Sequence, residues 1–244
     1  MSPKAVSYFT NSKKYVKSEI TVRVISRLTG DGLVVIDGEE HRRQRKILNP
    51  AFASHHIKDL IGTFWLKACE LAKYWGDKID SDAEFGKHGI GIDVSTALTR
   101  TTLDIIGLTG NPLLDIVDSG FGYDLGTLTD QRNSVAQAVN AIFNNSPEGL
   151  FLTLLMGVFP MADLLPFQYI KDTEDAKKVI IDAASLLIEK KLEDEKGDTH
   201  DILGRMLAEN KRLEAIHEAG LSKDEIINQI LTFLLAGYYL SLLD

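Results

Sequence analysis

The sequence predicts a mainly α-helical protein, and two kinds of observation support this fold class. Three segments place apolar residues at the i, i+3 and i+4 spacing of an amphipathic helix: residues 56–75, 94–108 and 175–195. Strand signals are few, since the apolar run GLVVIDG at residues 32–38 stands between glycines and is expected to form an extended loop. A chain of 244 residues suffices for one large domain or two small ones and can bury a sizeable core.

Composition and charge exclude several classes of function. The formal net charge of −8 argues against general nucleic-acid binding, because a nucleic-acid binder shows a dominant basic surface. The single cysteine, Cys69, excludes an internal disulfide. The N-terminus has no apolar signal core, and no run of about 18 apolar residues predicts a membrane span. The most apolar stretch, Leu150–Phe167, is interrupted by two prolines and an aspartate. It is predicted to form a buried helix and loop, with shallow contact to a membrane surface as the alternative.

The first informative element is a short helix that ends before Pro50. Asp37 can cap its N-terminus with Glu40 as the capping-box partner, and the proline disfavours helix at the residue before it. His41 and Arg45 are four residues apart and therefore share a face. An arginine has planar N–H donors that can hydrogen-bond both oxygens of a carboxylate, so a histidine and an arginine on one face can bind such a group. The same segment is also typical of a solvated basic helix face, or of a short localisation or polyanion-binding patch.

The next helix covers residues 56–75, and its apolar face is expected to point into the core. That face consists of Ile57, Leu60, Ile61, Phe64, Trp65, Ala68 and Leu71. Loops are predicted at residues 76–92, 108–126 and 195–200. Cys69 lies within this helix, where a lone cysteine is typical of a small buried apolar residue. His55 and His56 are predicted to be surface or helix-start residues, because the histidines show no metal-ligand spacing.

The last helix has a well-defined start. Ser222 and Glu225 form a predicted capping box, and Leu221 and Ile226 stand at the positions of a hydrophobic staple. From there the segment 226–243 has almost no polar face, and a helix that is apolar on all sides belongs inside a larger protein. We therefore expect this helix to lack partners within the chain and to expose a large apolar patch.

Two of these stretches resemble the cytochrome P-450 family of haem-thiolate monooxygenases. GDGLVVIDGEEHRRQRKILNPAF, residues 30–52, is similar to the family's C-helix region. LSKDEIINQILTFLLAG, residues 221–237, is similar to the first half of its I helix, the oxygen-activating helix. Between them, DVSTALTRTTLDIIGLTG and GFGYDLGTLTD look like the intervening helix pair. The resemblance covers roughly residues 3–237, and its two end motifs are specific only when they occur together.

The resemblance implies an incomplete cytochrome P-450-like helical fold over residues 1–244, with His41 and Arg45 holding a haem propionate. It further implies that Ala236 and Gly237 lie beside the haem and that Phe233 borders the substrate pocket. The family inserts one oxygen atom from dioxygen into an apolar organic substrate, with electrons supplied by a reductase. Microsomal members carry a membrane anchor upstream of this region. The sequence shows no anchor, so a location at the endoplasmic reticulum is left open.

The sequence departs from the family pattern after Gly237. The family has an acid and usually two threonines there, which relay protons to dioxygen, whereas this chain has Tyr239 and Leu240 at the acid and threonine positions. The family's E-x-x-R pair and the loop with its thiolate ligand lie further downstream. Cys69, in its helical context, is not expected to replace that ligand. The sequence therefore predicts a truncated chain with no catalytic or metal-ligating residue, inactive as an isolated monooxygenase.

Two alternatives stay open on the sequence alone. In one, the chain is a non-catalytic helical module that docks the segment 226–243 in a partner's groove. In the other, a gene-model error produced the last seven residues and the insertion-like residues 111–119. Two E-x-x-R strings, Glu39–Arg42 and Glu209–Arg212, precede the oxygen helix and are interpreted as chance matches.

Overall fold

The computed structural model describes residues 2–12, 16–81, 91–110, 134–143, 155–159, 168–193 and 202–240. Over these ranges the chain is helical and contains no strand, which confirms the mainly α prediction. The helices are α1 (Pro3–Asn11), α2 (Glu19–Thr29), α3 (Gly38–Leu48), α4 (Ser54–Asp59), α5 (Ile61–Ser81), α6 (Val94–Gly110), α7 (Ser134–Phe143), α8 (Gln168–Glu193), α9 (Ile202–Ala215) and α10 (Lys223–Leu240). A 3-10 turn follows α3 at Asn49–Phe52, and residues 155–158 form one further helical turn.

The core is built around α10, which contacts α2, α6, α7 and α8. The largest fully buried apolar side chains come from several of these helices and include Leu103, Ile180, Ile188, Met206 and Leu231. The apolar residues Ile226, Ile227, Leu231, Leu234 and Leu235 of α10 are all buried. The prediction that this helix would lack partners is therefore wrong up to Gly237, because neighbouring helices of the same chain cover it.

Two glycines before α3 allow α2 to approach α10 closely. Gly30 has a φ of +68°, a value that favours glycine. A Cβ atom at Gly32 would collide with the Thr232 hydroxyl group of α10. The run after them turns at Leu33, whose backbone N–H donates a 3.2 Å hydrogen bond to the side-chain oxygen of Gln229. The prediction of a loop rather than a strand is confirmed for residues 32–37, although residues 33–35 form a turn and Gly38 already begins α3.

The two predicted capping boxes have different outcomes. At α10, the backbone N–H of Ser222 donates to the Glu225 carboxylate at 2.7 Å, and the Glu225 N–H donates to the Ser222 hydroxyl at 3.2 Å. At α3, Asp37 occupies the N-cap position but makes no capping hydrogen bond with its side chain. Its carboxylate instead pairs with Lys17 at 3.3 Å, so the capping box predicted for Asp37 is wrong.

The apolar face predicted for α5 is largely exposed, although it was expected to form core. Leu71 is buried, but Trp65 is 73% exposed and Ile61 is 58% exposed. The helix contacts α6 through its second half, where Leu71 packs beside Ala97. Lys67 is buried at 3% exposure and pairs with Glu70 at 2.8 Å. The prediction was wrong because periodicity gives the apolar side of a helix but not the direction in which its neighbour lies.

The boundaries of the longer helices also differ from the sequence-based expectations. The helix α5 continues to Ser81 and α6 continues to Gly110, so the loops expected from residues 76 and 108 begin later. Apart from residues 91–93, the rest of the predicted loops lies outside the described residues. The insertion-like residues 111–119 also lie outside them. Of the stretch 150–167, residues 155–159 are described. Met156 there is buried as predicted, whereas Val158 and Phe159 are exposed against the prediction. No helix within the described ranges is long and apolar enough to cross a bilayer.

Candidate functional site

The predicted carboxylate-binding pair lies on one face of α3. His41 is half-buried and Arg45 is exposed. Burial lowers the pKa of His41, and the positive charges of Lys17 and Arg45 lower it further, whereas Asp37 raises it. The His41 ring is therefore mostly neutral at neutral pH. The positive charge near it comes from Arg45 on α3 and from Lys17, which precedes α2. Among the described residues, neither side chain of the pair makes a hydrogen bond or an ion pair, so both can bind an external carboxylate.

A polar network fixes the opposite side of α3 to the start of α10. The Arg43 guanidinium donates to the backbone oxygen of Gly220 at 2.6 Å and contacts the carboxylates of Glu40 and Glu225. Hydrogen bonding to Arg43 is the largest of the effects that lower the pKa of Glu40 to about 2. Because Glu225 also caps α10, Arg43 connects the first turn of α10 to α3.

Two buried glutamines continue this network into the core. Gln44 and Gln229 are 2% and 0% exposed, and Nε2 of Gln229 donates to Oε1 of Gln44 at 2.7 Å. Gln44 in turn donates to the carboxylates of Glu40 and Glu225, both at 3.1 Å. A buried amide without a partner is costly, so this hydrogen bond between the two glutamines favours one position of α3 against α10.

The sequence analysis did not identify Arg43, Gln44 or Gln229 as functional residues. A signal for the glutamines is present, however. Gln44 lies three residues before Ile47, and Gln229 interrupts the apolar run of α10, so each is a polar residue on a face that is otherwise buried. Such residues require a hydrogen-bond partner, and two of them on contacting helices can satisfy each other.

The three predicted site residues of α10 have different surroundings. Phe233 is half-buried and meets Phe52, which follows α3, edge to face at a ring-centroid distance of 5.5 Å. Ala236 is exposed and lies one turn further along the helix. Gly237 is buried in the contact with α6, where its backbone oxygen accepts a 2.9 Å hydrogen bond from the Thr102 hydroxyl. A Cβ atom at Gly237 would collide with Ile106, so this glycine permits close helix packing.

The described residues fit a haem propionate, but they include no group placed as a ligand to the haem iron. The His41–Arg45 face has the donors and the charge that a propionate requires, and exposed Ala236 leaves room for a flat ligand. Cys69 is helical as predicted, but it is exposed on α5 rather than buried. Within the described ranges no three histidine, cysteine, aspartate or glutamate side chains form a metal-binding group. The backbone of α10 is helical through Tyr239 and Leu240, whose side chains lie outside the description.

The remaining motif residues belong to surface or packing contacts. Arg42 pairs with Glu39, and Arg212 pairs with Glu209 at 2.7 Å, each across one helical turn. These E-x-x-R strings are thus surface ion pairs. His55 and His56 lie in the first turn of α4, as the helix-start prediction stated. His56 also has a packing contact, because its Nε2 lies 2.6 Å from the Arg205 guanidinium of α9. Burial and the charge of Arg205 lower its pKa.

The sequence is similar to known cytochrome P450 proteins. The family model described as Cytochrome P450 matches residues 1–239. Cytochrome P450 monooxygenase 205 of Postia placenta is 30% identical over 251 residues, a span of 96% of this chain and 44% of the relative. Cytochrome P450 monooxygenase sphH of Aspergillus fumigatus is 31% identical over 247 residues, with 97% and 42% covered.

Solved structures show the same fold at lower sequence identity. A crystal structure of a cytochrome P450, CYP102L1, superposes with a TM-score of 0.64 at 22% identity, covering 93% of this chain and 45% of that protein. The retinoic acid-bound cyanobacterial CYP120A1 gives a TM-score of 0.60 at 19% identity. The chain thus spans less than half the length of these relatives. Its sequence match over residues 1–239 and its helical fold together establish that it belongs to the cytochrome P450 family.

Proposed function

We propose that this chain provides the propionate-binding helix and the first half of the oxygen-side helix of a haem-dependent monooxygenase. The reaction inserts one oxygen atom from dioxygen into an apolar organic substrate, and an electron-donating reductase is the partner. The observation that carries the proposal is the His41–Arg45 face of α3. Its two donor side chains make no hydrogen bond or ion pair among the described residues, and the helix is held against α10.

In this proposal each group has a limited role. Haem supplies the oxygen chemistry when it is bound. Arg45 binds a propionate with its charge, and the mostly neutral ring of His41 donates a hydrogen bond to it. Phe233 and Ala236 would provide the apolar surface beside the haem ring. Phe52, in the turn after α3, packs against Phe233. Gly237 acts indirectly, because it lets α10 pack closely against α6.

Haem titration of the purified chain, followed by absorbance, tests the propionate site. Replacing His41 and Arg45 together by alanine should weaken haem binding by about tenfold or more, since a hydrogen bond to a charged group contributes about 1.5–3 kcal/mol. The matched control replaces Arg42 and Lys46, exposed basic residues on the adjacent face of the same helix. If both double variants lose affinity equally, general electrostatic attraction rather than the pair explains binding.

We also propose that these 244 residues do not by themselves form a thiolate-ligated haem. The single thiol of the sequence is that of Cys69, which lies exposed on α5. Reducing the haem-loaded chain and adding carbon monoxide should therefore give no thiolate-type absorption band. A band that appears in the wild-type chain and disappears in Cys69→Ser would contradict this proposal.

A further inference from the structure

A small cavity lies between α2, the helical turn at residues 155–158 and the first turns of α8. Its volume is about 210 Å³, which is below the range of drug-sized pockets and suits a small ligand. Its lining combines apolar side chains with polar and charged ones. The lining residues are Arg27, Leu28, Met156, Tyr169, Ile170, Thr173, Glu174 and Lys177.

The three elements around the cavity are held together by specific contacts. The Arg23 guanidinium of α2 donates a 2.8 Å hydrogen bond to the backbone oxygen of Gly157. A Cβ atom at Gly157 would lie only 2.6 Å from a methyl group of Val24, so glycine allows this turn to approach α2. On the other side, Lys177 donates a 3.0 Å hydrogen bond to the backbone oxygen of Arg27. The elements that line the cavity are therefore held in place by hydrogen bonds and close packing.

Lys177 lines the cavity, and its ammonium group makes fewer hydrogen bonds than it has N–H donors. Lys177 is half-buried, and its ammonium group has three donors, one of which is used by Arg27. Within the described ranges Lys177 forms no ion pair with a carboxylate. Burial lowers its pKa, while the negative charges of Asp31 and Glu174 raise it and the positive charge of Arg27 lowers it. A half-buried ammonium with donors to spare gains from an anionic partner.

We propose that this cavity binds a small monocarboxylate with a short apolar tail, the carboxylate on the Lys177 ammonium group and the tail against Leu28, Met156 and Ile170. The ion pair would satisfy the remaining donors of the lysine, and the tail would cover the apolar side chains of the lining. Glu174 at the same cavity disfavours ligands of higher negative charge, such as phosphates. The site is assembled from this chain alone and does not depend on haem binding.

Calorimetric titration of the purified 244-residue chain with hexanoate tests the proposal without haem. Saturable binding of one hexanoate is expected. The neutral analogue hexanamide should bind about tenfold more weakly or worse, because it cannot form the charge-assisted hydrogen bonds. Acetate should also bind at least about tenfold more weakly, since it lacks the apolar tail.

Substitutions identify the group responsible. Lys177→Met should lower hexanoate affinity at least about tenfold, whereas Lys178→Met, at the exposed neighbouring lysine, should leave it unchanged within about twofold. Lys177→Arg should retain binding, and circular dichroism of all variants checks that they are folded. Absence of saturable hexanoate binding to the folded wild-type chain would overturn the proposal. Equal losses in Lys177→Met and Lys178→Met, or equal affinity for hexanamide, would also overturn it.

Discussion

Protonation of Glu40 is expected to weaken the contact between α3 and α10 at low pH. Its carboxylate accepts hydrogen bonds from Arg43 and Gln44, and these lower its pKa from 4.5 to about 2. A carboxyl group whose pKa is lower in the folded state stabilises the fold above its unfolded pKa and loses that contribution as pH falls through the folded value. The window of lost stability therefore runs from about pH 4.5 down to about pH 2.

Replacing Glu40 by glutamine should make the acid-induced loss of stability shallower over that window, because the titrating group is removed. Urea unfolding at a series of pH values measures the slope. Glu40 is half exposed, so the change is expected to be modest. Glu39→Gln, at an ion pair that is almost fully exposed, is the matched control and should reproduce the wild-type slope. A Glu40→Gln profile identical to wild type would mean that Arg43 does not stabilise the ionised carboxylate.

At the scale of elements, the junction of α3 and α10 depends on the hydrogen bond that Gln229 donates to Gln44. Replacing either glutamine alone by leucine should destabilise the fold by about 1–3 kcal/mol, because the remaining amide is buried without its partner. The double replacement should cost less than the sum of the two single losses, because neither glutamine side chain is then left without the other. The Leu33 N–H loses its acceptor in both variants that lack Gln229, so this cost cancels in the cycle. Urea unfolding of the four proteins in a double-mutant cycle measures the coupling. Strictly additive losses would show that the pair is not coupled.

The elements also show which structural features local sequence can predict. The capping box of Ser222 and Glu225 was predicted because its partners are three residues apart and need no other part of the chain. The capping box at Asp37 was wrong because Lys17, twenty positions earlier, competes for the carboxylate. The shared face of His41 and Arg45 follows from helical spacing alone. The role of Gly237 could not be predicted, since it depends on Ile106 of a different helix.

At the scale of the whole molecule, α5 carries a cluster of exposed large apolar side chains, whereas the described large apolar side chains of α10 are buried or half-buried. The first three turns of α5 expose Ile61, Phe64, Trp65, Leu66 and Cys69. Helical spacing places these side chains side by side on one broad face. A contiguous apolar patch of this kind favours association with another surface. The sequence predicted an exposed apolar patch on the last helix; among the described residues such a patch lies on α5 instead.

We expect the purified chain to self-associate through this face of α5. Trp65→Glu should reduce the association, because the charge would be desolvated in the contact. Sedimentation velocity over a range of protein concentrations measures the effect. Leu192→Glu introduces the same charge at an exposed leucine on α8 and should leave association unchanged. A wild-type chain that stays monomeric at all concentrations would contradict this prediction.

The central claim for the molecule as a whole is that α3 recognises the carboxylates of a haem group. Comparing the affinity of the chain for haem and for haem dimethyl ester, in which both propionates are esterified, tests this claim most directly. The wild-type chain should bind haem at least about tenfold more tightly than the ester, and the His41→Ala/Arg45→Ala variant should bind both ligands alike. Equal affinity of the wild-type chain for the two ligands would contradict the account, because recognition would then not involve the propionates.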